Sequence, residues 1–159
     1  MSSLKMGVVD AVSSQEKRSV IPYDEKFIMG GNGIPFGNML RGYPENSIGP
    51  KSFSGNTVYG TSMIRFVSEL RVPFSENPVI YGLAFAEAGN VWDSTSMTEP
   101  FSIPRSGPLS LKRSAGFGIR FFMPMIGMLG FDMGYGFDDN DGNDIPDGWN
   151  YTIIFGQSF

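Results

Sequence analysis

The sequence predicts an all-β fold, an antiparallel transmembrane β-barrel, and three observations support this prediction. Several segments alternate apolar and polar side chains at the two-residue period of a strand. Short turns alternate with long polar loops, as in outer-membrane barrels. The sequence also closes on an aromatic, alternating strand, whereas soluble domains usually end in polar, frayed residues. The main alternative is a soluble β-sandwich with a buried terminal strand.

The composition excludes several classes of function. The chain has 159 residues with 21 glycines and 14% aromatic residues, which favours strands and turns over helices. Cysteine and histidine are absent, so thiol catalysis, histidine triads and zinc sites built on these residues are excluded. The net charge of -4, without a basic cluster, argues against a nucleic-acid partner.

The first third of the chain predicts one partial strand and one long connection. Within residues 1–12, the segment 3–12 (SLKMGVVDAV) fits the end of a strand, and the pattern of a signal peptide is lacking. Residues 13–56 are irregular and rich in Gly, Pro, Asn and Ser. A structureless connection of this length is uncommon in a compact domain and is usually functional. We therefore predict a long external loop there.

Residues 57–159 predict five strands. The first two span 57–72 and 79–92 and are separated by the turn 73–78. The next two span 109–123 and 128–137 around the turn 124–127, and the last spans 151–159. Short turns of outer-membrane barrels face the periplasm. The longer connections, which are 13–56, 93–108 and 138–148, are therefore predicted to face outside.

The polar face of these strands carries charges that we expect to project into a lumen. A charge on the lipid face would cost about 2–4 kcal/mol at the membrane midplane, whereas a polar lumen tolerates it. On a soluble sheet the same charges would face solvent. The predicted inward residues are Arg65, Glu69, Arg71, Glu87, Arg120 and Asp132.

Two other interpretations of the acidic residues are open. Asp139, Asp141 and Asp144 offer oxygen ligands for calcium, but their spacing departs from the EF-hand pattern, so a solvated hairpin loop and no metal is predicted. Glu69 and Glu87 could form a glycosidase-like carboxylate pair, since that chemistry needs no histidine. No feature of the sequence indicates a substrate cleft for it.

Several short motifs, in a fixed order, resemble the BamA family of outer-membrane assembly factors, also called bacterial surface antigens. MLRGY (39–43), continuing as PENSIGP, is similar to the arginine-glycine-aromatic motif of the family's sixth external loop, and Gly30-Gly31 matches its upstream glycine pair. Residues 113–135 resemble the penultimate hairpin, and AEAGNVWD (86–93) resembles the acidic-x-glycine-x-x-tryptophan segment. The terminal strand resembles the assembly signal, carried here by Tyr151, Ile153, Phe155, Gly156 and Phe159.

Three positions depart from the family pattern. Leu40 stands where valine is common, and Gln157 is polar on a face expected to be apolar. Gly130 stands where many relatives carry a larger or basic residue before the Phe-Asp pair.

The resemblance implies a 16-stranded antiparallel barrel preceded by periplasmic POTRA domains. The chain would supply about the last six strands plus the sixth loop, without POTRA sequence. The implied function is not enzymatic and uses no cofactor: it is folding and inserting β-barrel proteins into the bacterial outer membrane. The implied partners are unfolded outer-membrane proteins, outer-membrane lipid and accessory lipoproteins. A two-partner secretion transporter of the same superfamily is the alternative.

The resemblance also implies roles for individual residues. Arg41, within Arg41-Gly42-Tyr43, would anchor the loop in the lumen by pairing with Glu69, Glu87 and Asp132. Gly156 would let the last strand bend and loosen a seam between the first and last strands, although it could equally be a packing glycine.

Overall fold

Within the residues that the structure describes, six strands form one antiparallel sheet in which each strand pairs with its neighbours in the sequence. The computed structural model describes residues 2–9, 25–33, 37–52, 54–92, 110–125, 127–140 and 142–155. The strands are β1 (Ser2–Val8), β2 (Ser62–Glu76), β3 (Val79–Trp92), β4 (Lys112–Met123), β5 (Gly127–Gly136) and β6 (Gly148–Phe155). The sheet order is β1-β2-β3-β4-β5-β6, so the predicted all-β antiparallel architecture is confirmed. Within the described ranges β1 and β6 do not pair with each other, and the sheet is open.

The end of β2 differs from the prediction, which placed a turn at residues 73–78. β2 begins at Ser62 and runs through the predicted turn to Glu76, which leaves Asn77 and Pro78 as the turn. The pairing register shifts between Pro73 and Ser75. A register shift of this kind leaves a residue outside the ladder and accommodates a proline that cannot donate a hydrogen bond. β3 has the predicted bounds.

The last strand begins earlier than predicted. β6 starts at Gly148, which pairs with Gly136 of β5, because the acidic connection closes before Trp149. The predicted signal residues Gly156 and Phe159 lie outside the described residues, as do residues 10–24 and 93–109, which include the predicted loop 93–108.

The two faces of the sheet have opposite polarity. Phe117, Phe131 and Phe155 on the outer face are 54%, 45% and 58% exposed, whereas Arg120 and Asp132 on the inner face are 1% and 3% exposed. A water-soluble sandwich would bury the phenylalanines and solvate the charges. The observed arrangement is the one predicted for a wall with an apolar outside and an ionic inside. Among the described residues, no helix has the length and apolarity required to cross a membrane.

The long connection between β1 and β2 packs against the inner face of the sheet. We call its described part (25–33, 37–52 and 54–61) the inner loop. Bridges within the loop join Met29 to Ile48 and Gly31 to Leu40, so the loop satisfies many of its own backbone groups. The buried core lies between this loop and the sheet, and its members are Met29, Leu40, Tyr43, Ile48, Met63 and Val91.

Backbone pairing shows which groups of β6 face its free edge. The Phe137 amide donates to the Arg113 carbonyl at 2.9 Å. These two residues lie directly opposite each other when the β4–β5 pairing is extended by one position. In an antiparallel pair, opposite residues hydrogen-bond to each other at every second position. The odd-numbered residues of β5 therefore bond to β4, and the even-numbered ones bond to β6. In β6 the backbone groups of Trp149, Tyr151, Ile153 and Phe155 consequently point away from β5.

Candidate functional site

The centre of the site is Arg41, whose side chain is 2% exposed and contacts three carboxylates. Its guanidinium donates to Glu87 Oε1 from Nε at 2.9 Å and from Nη2 at 2.6 Å, to Asp132 at 2.9 Å and to Glu69 at 3.1 Å. The Arg41 backbone amide also donates to Glu87, at 2.8 Å. The guanidinium lies 3.7 Å above the Phe85 ring. A planar guanidinium suits several carboxylates and an aromatic face at once.

Three arginines of the strands complete what we call the inner charge cluster. Arg65 binds Glu87 at 3.1 Å, and Arg71 binds Glu69 at 2.6 Å. Arg120 reaches both carboxylate oxygens of Asp132, with its Nη2 at 2.8 Å from Oδ2. The cluster thus contains four arginines (41, 65, 71 and 120) and three carboxylates (69, 87 and 132). Each carboxylate contacts Arg41 and one strand arginine.

Alternation along the strands explains why these side chains meet. Glu69, Glu87 and Asp132 occupy inward positions of β2, β3 and β5, because every second side chain points to the same face. Gly118, directly opposite Asp132, leaves room for its carboxylate, since a Cβ at residue 118 would lie 1.9 Å from Oδ1. Gly130, opposite Arg120, leaves room for the guanidinium stem in the same way.

The backbone of the Arg41–Tyr43 motif lies directly on glycines of β5. A Cβ at Gly134 would lie 2.7 Å from the Gly42 nitrogen, and one at Gly136 would lie 2.5 Å from the Gly42 carbonyl oxygen. Gly42 itself has φ +89°, a left-handed conformation that favours glycine. The alternating glycines of β5 therefore form a floor on which the motif can approach the sheet backbone.

Side chains on both sides of this floor hold the rest of the motif. The Tyr43 hydroxyl donates to the Arg113 carbonyl at 2.6 Å and accepts from the Asp138 amide at 3.3 Å. Burial raises the pKa of Tyr43 above its ordinary value, so the hydroxyl keeps the proton that it donates. The Asn150 side chain of β6 donates to the Gly42 carbonyl at 3.1 Å. The motif is therefore tied to β4, β5 and β6 as well as to the carboxylates.

Asp138 and Arg113 form an ion pair at the outer end of the site. The Asp138 carboxylate accepts from the Arg113 amide at 2.7 Å and from its guanidinium at 2.9 Å. Partial burial alone would raise the pKa of Asp138, but the hydrogen bonds and charge of Arg113 outweigh it and hold that pKa below its ordinary value.

We expect the stabilising contribution of Asp138 to disappear in acid. A carboxyl whose folded pKa is lowered contributes stability above its unfolded pKa of about 3.9, and the contribution is lost as the pH falls through the folded value. Hydrogen exchange of the segment around Arg113, corrected for the intrinsic pH dependence, should therefore lose protection below about pH 4. The Asp138→Asn variant should show no such step, and a step that persists in this variant would contradict the assignment.

Two of the three candidate calcium ligands, Asp139 and Asp144, lie among the described residues. The Asp139 carboxylate accepts the amides of Gly142 at 2.8 Å and Asp144 at 2.6 Å, so it shapes its own loop. Asp141 lies outside the described residues, and the described ones contain no group of three or more candidate ligands. Glu69 and Glu87, the carboxylates of the glycosidase interpretation, both bind Arg41.

The structure brings together the loop motif and the inward charges that the sequence singled out. Tyr151, Ile153 and Phe155 lie on the outer face of β6, while Thr152 and Ile154 are buried on the inner face. Sequence analysis missed the stacking of Phe85, the role of the β5 glycines and the contact from Asn150. Of these three features, only the glycines could have been found in the sequence, because they alternate with outward-facing residues along β5.

Comparison with known families agrees with this geometry. A family model described as the Omp85 superfamily domain matches residues 1–159, which is the whole chain. The match covers the six strands, the inner loop and the inner charge cluster together. The chain therefore belongs to the Omp85 superfamily, whose members are outer-membrane proteins that act in protein insertion or secretion.

Proposed function

We propose that this chain forms the carboxy-terminal part of a 16-stranded assembly-factor barrel of the BamA type. In this proposal the barrel folds and inserts β-barrel proteins into the bacterial outer membrane and is not an enzyme. Unfolded outer-membrane proteins are its clients, accessory lipoproteins its partners, and lipid surrounds its outer face. The six consecutive antiparallel strands and the docked motif Arg41–Tyr43 support this assignment.

The observation that carries the proposal is the geometry of β6, the last described strand. Within the described residues β6 pairs with β5 alone, and four of its residues turn their backbone groups away from β5. Its outward side chains, such as Tyr151 at 78% and Phe155 at 58% exposed, suit a lipid environment. In the proposed barrel this edge would meet the first strand. Unpaired backbone groups are costly in hydrocarbon, so loosening of that seam would favour the addition of an incoming strand.

The inner charge cluster supports the same function by fixing the wall next to that edge. Arg41 connects β2, β3 and β5 through Glu69, Glu87 and Asp132. A wall that is tied together on its inner side can remain folded while its last strand exchanges partners.

A proline at Tyr151 tests the proposal, because the Tyr151 amide faces the free edge. Tyr151→Pro removes one donor from the edge and leaves the bonds to β5, whereas Tyr151→Ala keeps the donor. In the complete protein, reconstituted in liposomes with an unfolded β-barrel client, we expect slower client insertion for the proline variant and near-normal insertion for the alanine variant. Equal rates in both variants, with both barrels folded, would argue against strand addition at β6.

The same liposomes discriminate the secretion alternative. A two-partner secretion transporter passes its client through the lumen. The added client would then cross to the other side of the vesicle membrane rather than fold in the bilayer. The inner loop contacts the inner face of the sheet from Met63 in β2 to Asn150 in β6, so a translocating client would have to pass beside it or displace it.

A further inference from the structure

Among the described residues, Asn32 of the inner loop contacts the edge of the last strand that faces away from β5. The side-chain amide of Asn32 donates to the Ile153 carbonyl at 3.0 Å. The pairing pattern of β5 with β4 places this carbonyl on the side of β6 that faces away from β5. Asn32 therefore occupies an acceptor that an added strand would use.

The conformation of the loop directs Asn32 to this position. The Glu45 carboxylate accepts the amides of Asn32 at 2.7 Å and Gly33 at 3.2 Å. Gly31 and Gly33, on either side of Asn32, have φ +56° and +77°, so the chain turns tightly there. A Cβ at Gly31 would lie 2.2 Å from the Glu45 carboxyl carbon, which means that glycine is required for this close approach.

This turn is joined to the docked motif. The Gly31 amide donates to the Tyr43 carbonyl at 3.1 Å, and the Leu40 amide donates to the Gly31 carbonyl at 3.2 Å. Tyr43 and Leu40 flank the Arg41-Gly42 pair that lies on the inner charge cluster and the glycine floor. A continuous set of hydrogen bonds thus connects the cluster, through the turn, to the edge of β6.

We propose that Asn32 is a clasp on the free edge of β6, and that Glu45 positions it. The clasp restrains β6 and must be displaced before another strand can pair beyond Tyr151 along this edge. The proposal deepens the proposed function and rests on it, since the clasp regulates the edge that would template clients. It assigns the inner loop a second role, which is to limit strand addition until an incoming strand competes for the Ile153 carbonyl.

Hydrogen exchange of β6 tests whether the clasp restrains the strand. Asn32→Asp keeps the size of the side chain but removes its donor. Asn38→Asp is the matched control, since Asn38 lies in the same loop and bonds to Lys5 and Ile28 instead. In the complete protein in lipid nanodiscs, we expect the amides of residues 148–155 to exchange about three- to tenfold faster in Asn32→Asp, as the loss of one hydrogen bond implies. The control should exchange like the parent protein.

Peptide binding tests whether the clasp limits strand addition. The probe is a fluorescent synthetic peptide copying β5 (127–136), whose affinity for nanodiscs carrying each variant is measured by anisotropy. We expect about three- to tenfold tighter binding to Asn32→Asp, and an effect in the same direction for Asn32→Ala and Glu45→Gln.

Unchanged exchange of β6 in both Asn32 variants would overturn the clasp, and so would faster exchange with unchanged peptide affinity. Neither measurement uses client insertion. Failure of the insertion function, seen with Tyr151→Pro, is therefore distinguishable from failure of the clasp.

Discussion

Replacing Arg41 by alanine is expected to release the inner loop from the sheet and to destabilise the fold by about 3–5 kcal/mol. Removing one partner of a buried ion pair is costly because it leaves the other charge without compensation. Here each carboxylate keeps one strand arginine, such as Arg120 on Asp132, so we expect a cost in the lower part of that range. Arg41→Glu should cost more, because it adds a fourth carboxylate to three remaining arginines.

Urea unfolding of the complete protein in lipid, together with protease cleavage in the inner loop, measures this effect. Arg41→Lys tests geometry, since an ammonium retains the charge but cannot bind three carboxylates and stack on Phe85 as a guanidinium does. Arg113→Ala is the control, because it removes an ion pair whose arginine is 66% exposed, and surface pairs contribute little. Parent-like unfolding and cleavage in Arg41→Ala would show that the cluster does not hold the loop.

A single methyl group at Gly134 is expected to displace the same loop by a steric route. The added Cβ would lie 2.7 Å from the Gly42 nitrogen and 3.0 Å from its Cα, and these are backbone atoms that cannot rotate away. Overpacking of this kind typically costs about 1–3 kcal/mol. Gly134→Ala should therefore destabilise the docked motif, and Gly134→Val should do so more strongly.

Gly130→Ala is the matched comparison, since Gly130 lies on the same face of the same strand. Its Cβ would meet the side chain of Arg120, at 2.6 Å from Cδ, and that flexible chain can move. We expect a smaller loss of stability than for Gly134→Ala. Ala86→Val, on the exposed outer face, controls for added volume alone.

A double-mutant cycle links the two predictions. If Arg41 and Gly134 both act through docking of the inner loop, the cost of Arg41→Ala plus Gly134→Ala should be smaller than the sum of the single costs. Additive costs would mean that the glycine floor and the charge cluster act independently. Such additivity would contradict a single docked state.

The connection between the loop and β6 suggests how one site could serve two purposes. The cluster fixes the motif Arg41–Tyr43 at the centre of the inner face, and the turn at Asn32 extends from that motif to the last strand. Loosening of the motif should therefore also weaken the contact at Ile153. Arg41→Ala is accordingly expected to speed hydrogen exchange in β6, in the same direction as Asn32→Asp.

Local patterns were sufficient for the strands and for the polarity of the two faces. The inward placement of Glu69, Glu87, Arg120 and Asp132 follows from the two-residue period, which the extended backbone imposes on every strand. Prediction was weaker at strand ends, as at Pro73, because a register shift allowed β2 to continue through a residue that usually interrupts a strand.

The sequence by itself determined the strand order, the apolar outer face and the identity of the loop motif, because these depend on residues close together in the chain. The family resemblance of the loop motif implied the pairing of Arg41 with Glu87. The tertiary structure alone decided contacts such as that of Asn32 with Ile153, across 121 positions. Those contacts depend on the path of the inner loop and on which backbone groups of β6 remain unpaired. Both are set by the register of neighbouring strands, and no local pattern in the loop records that register.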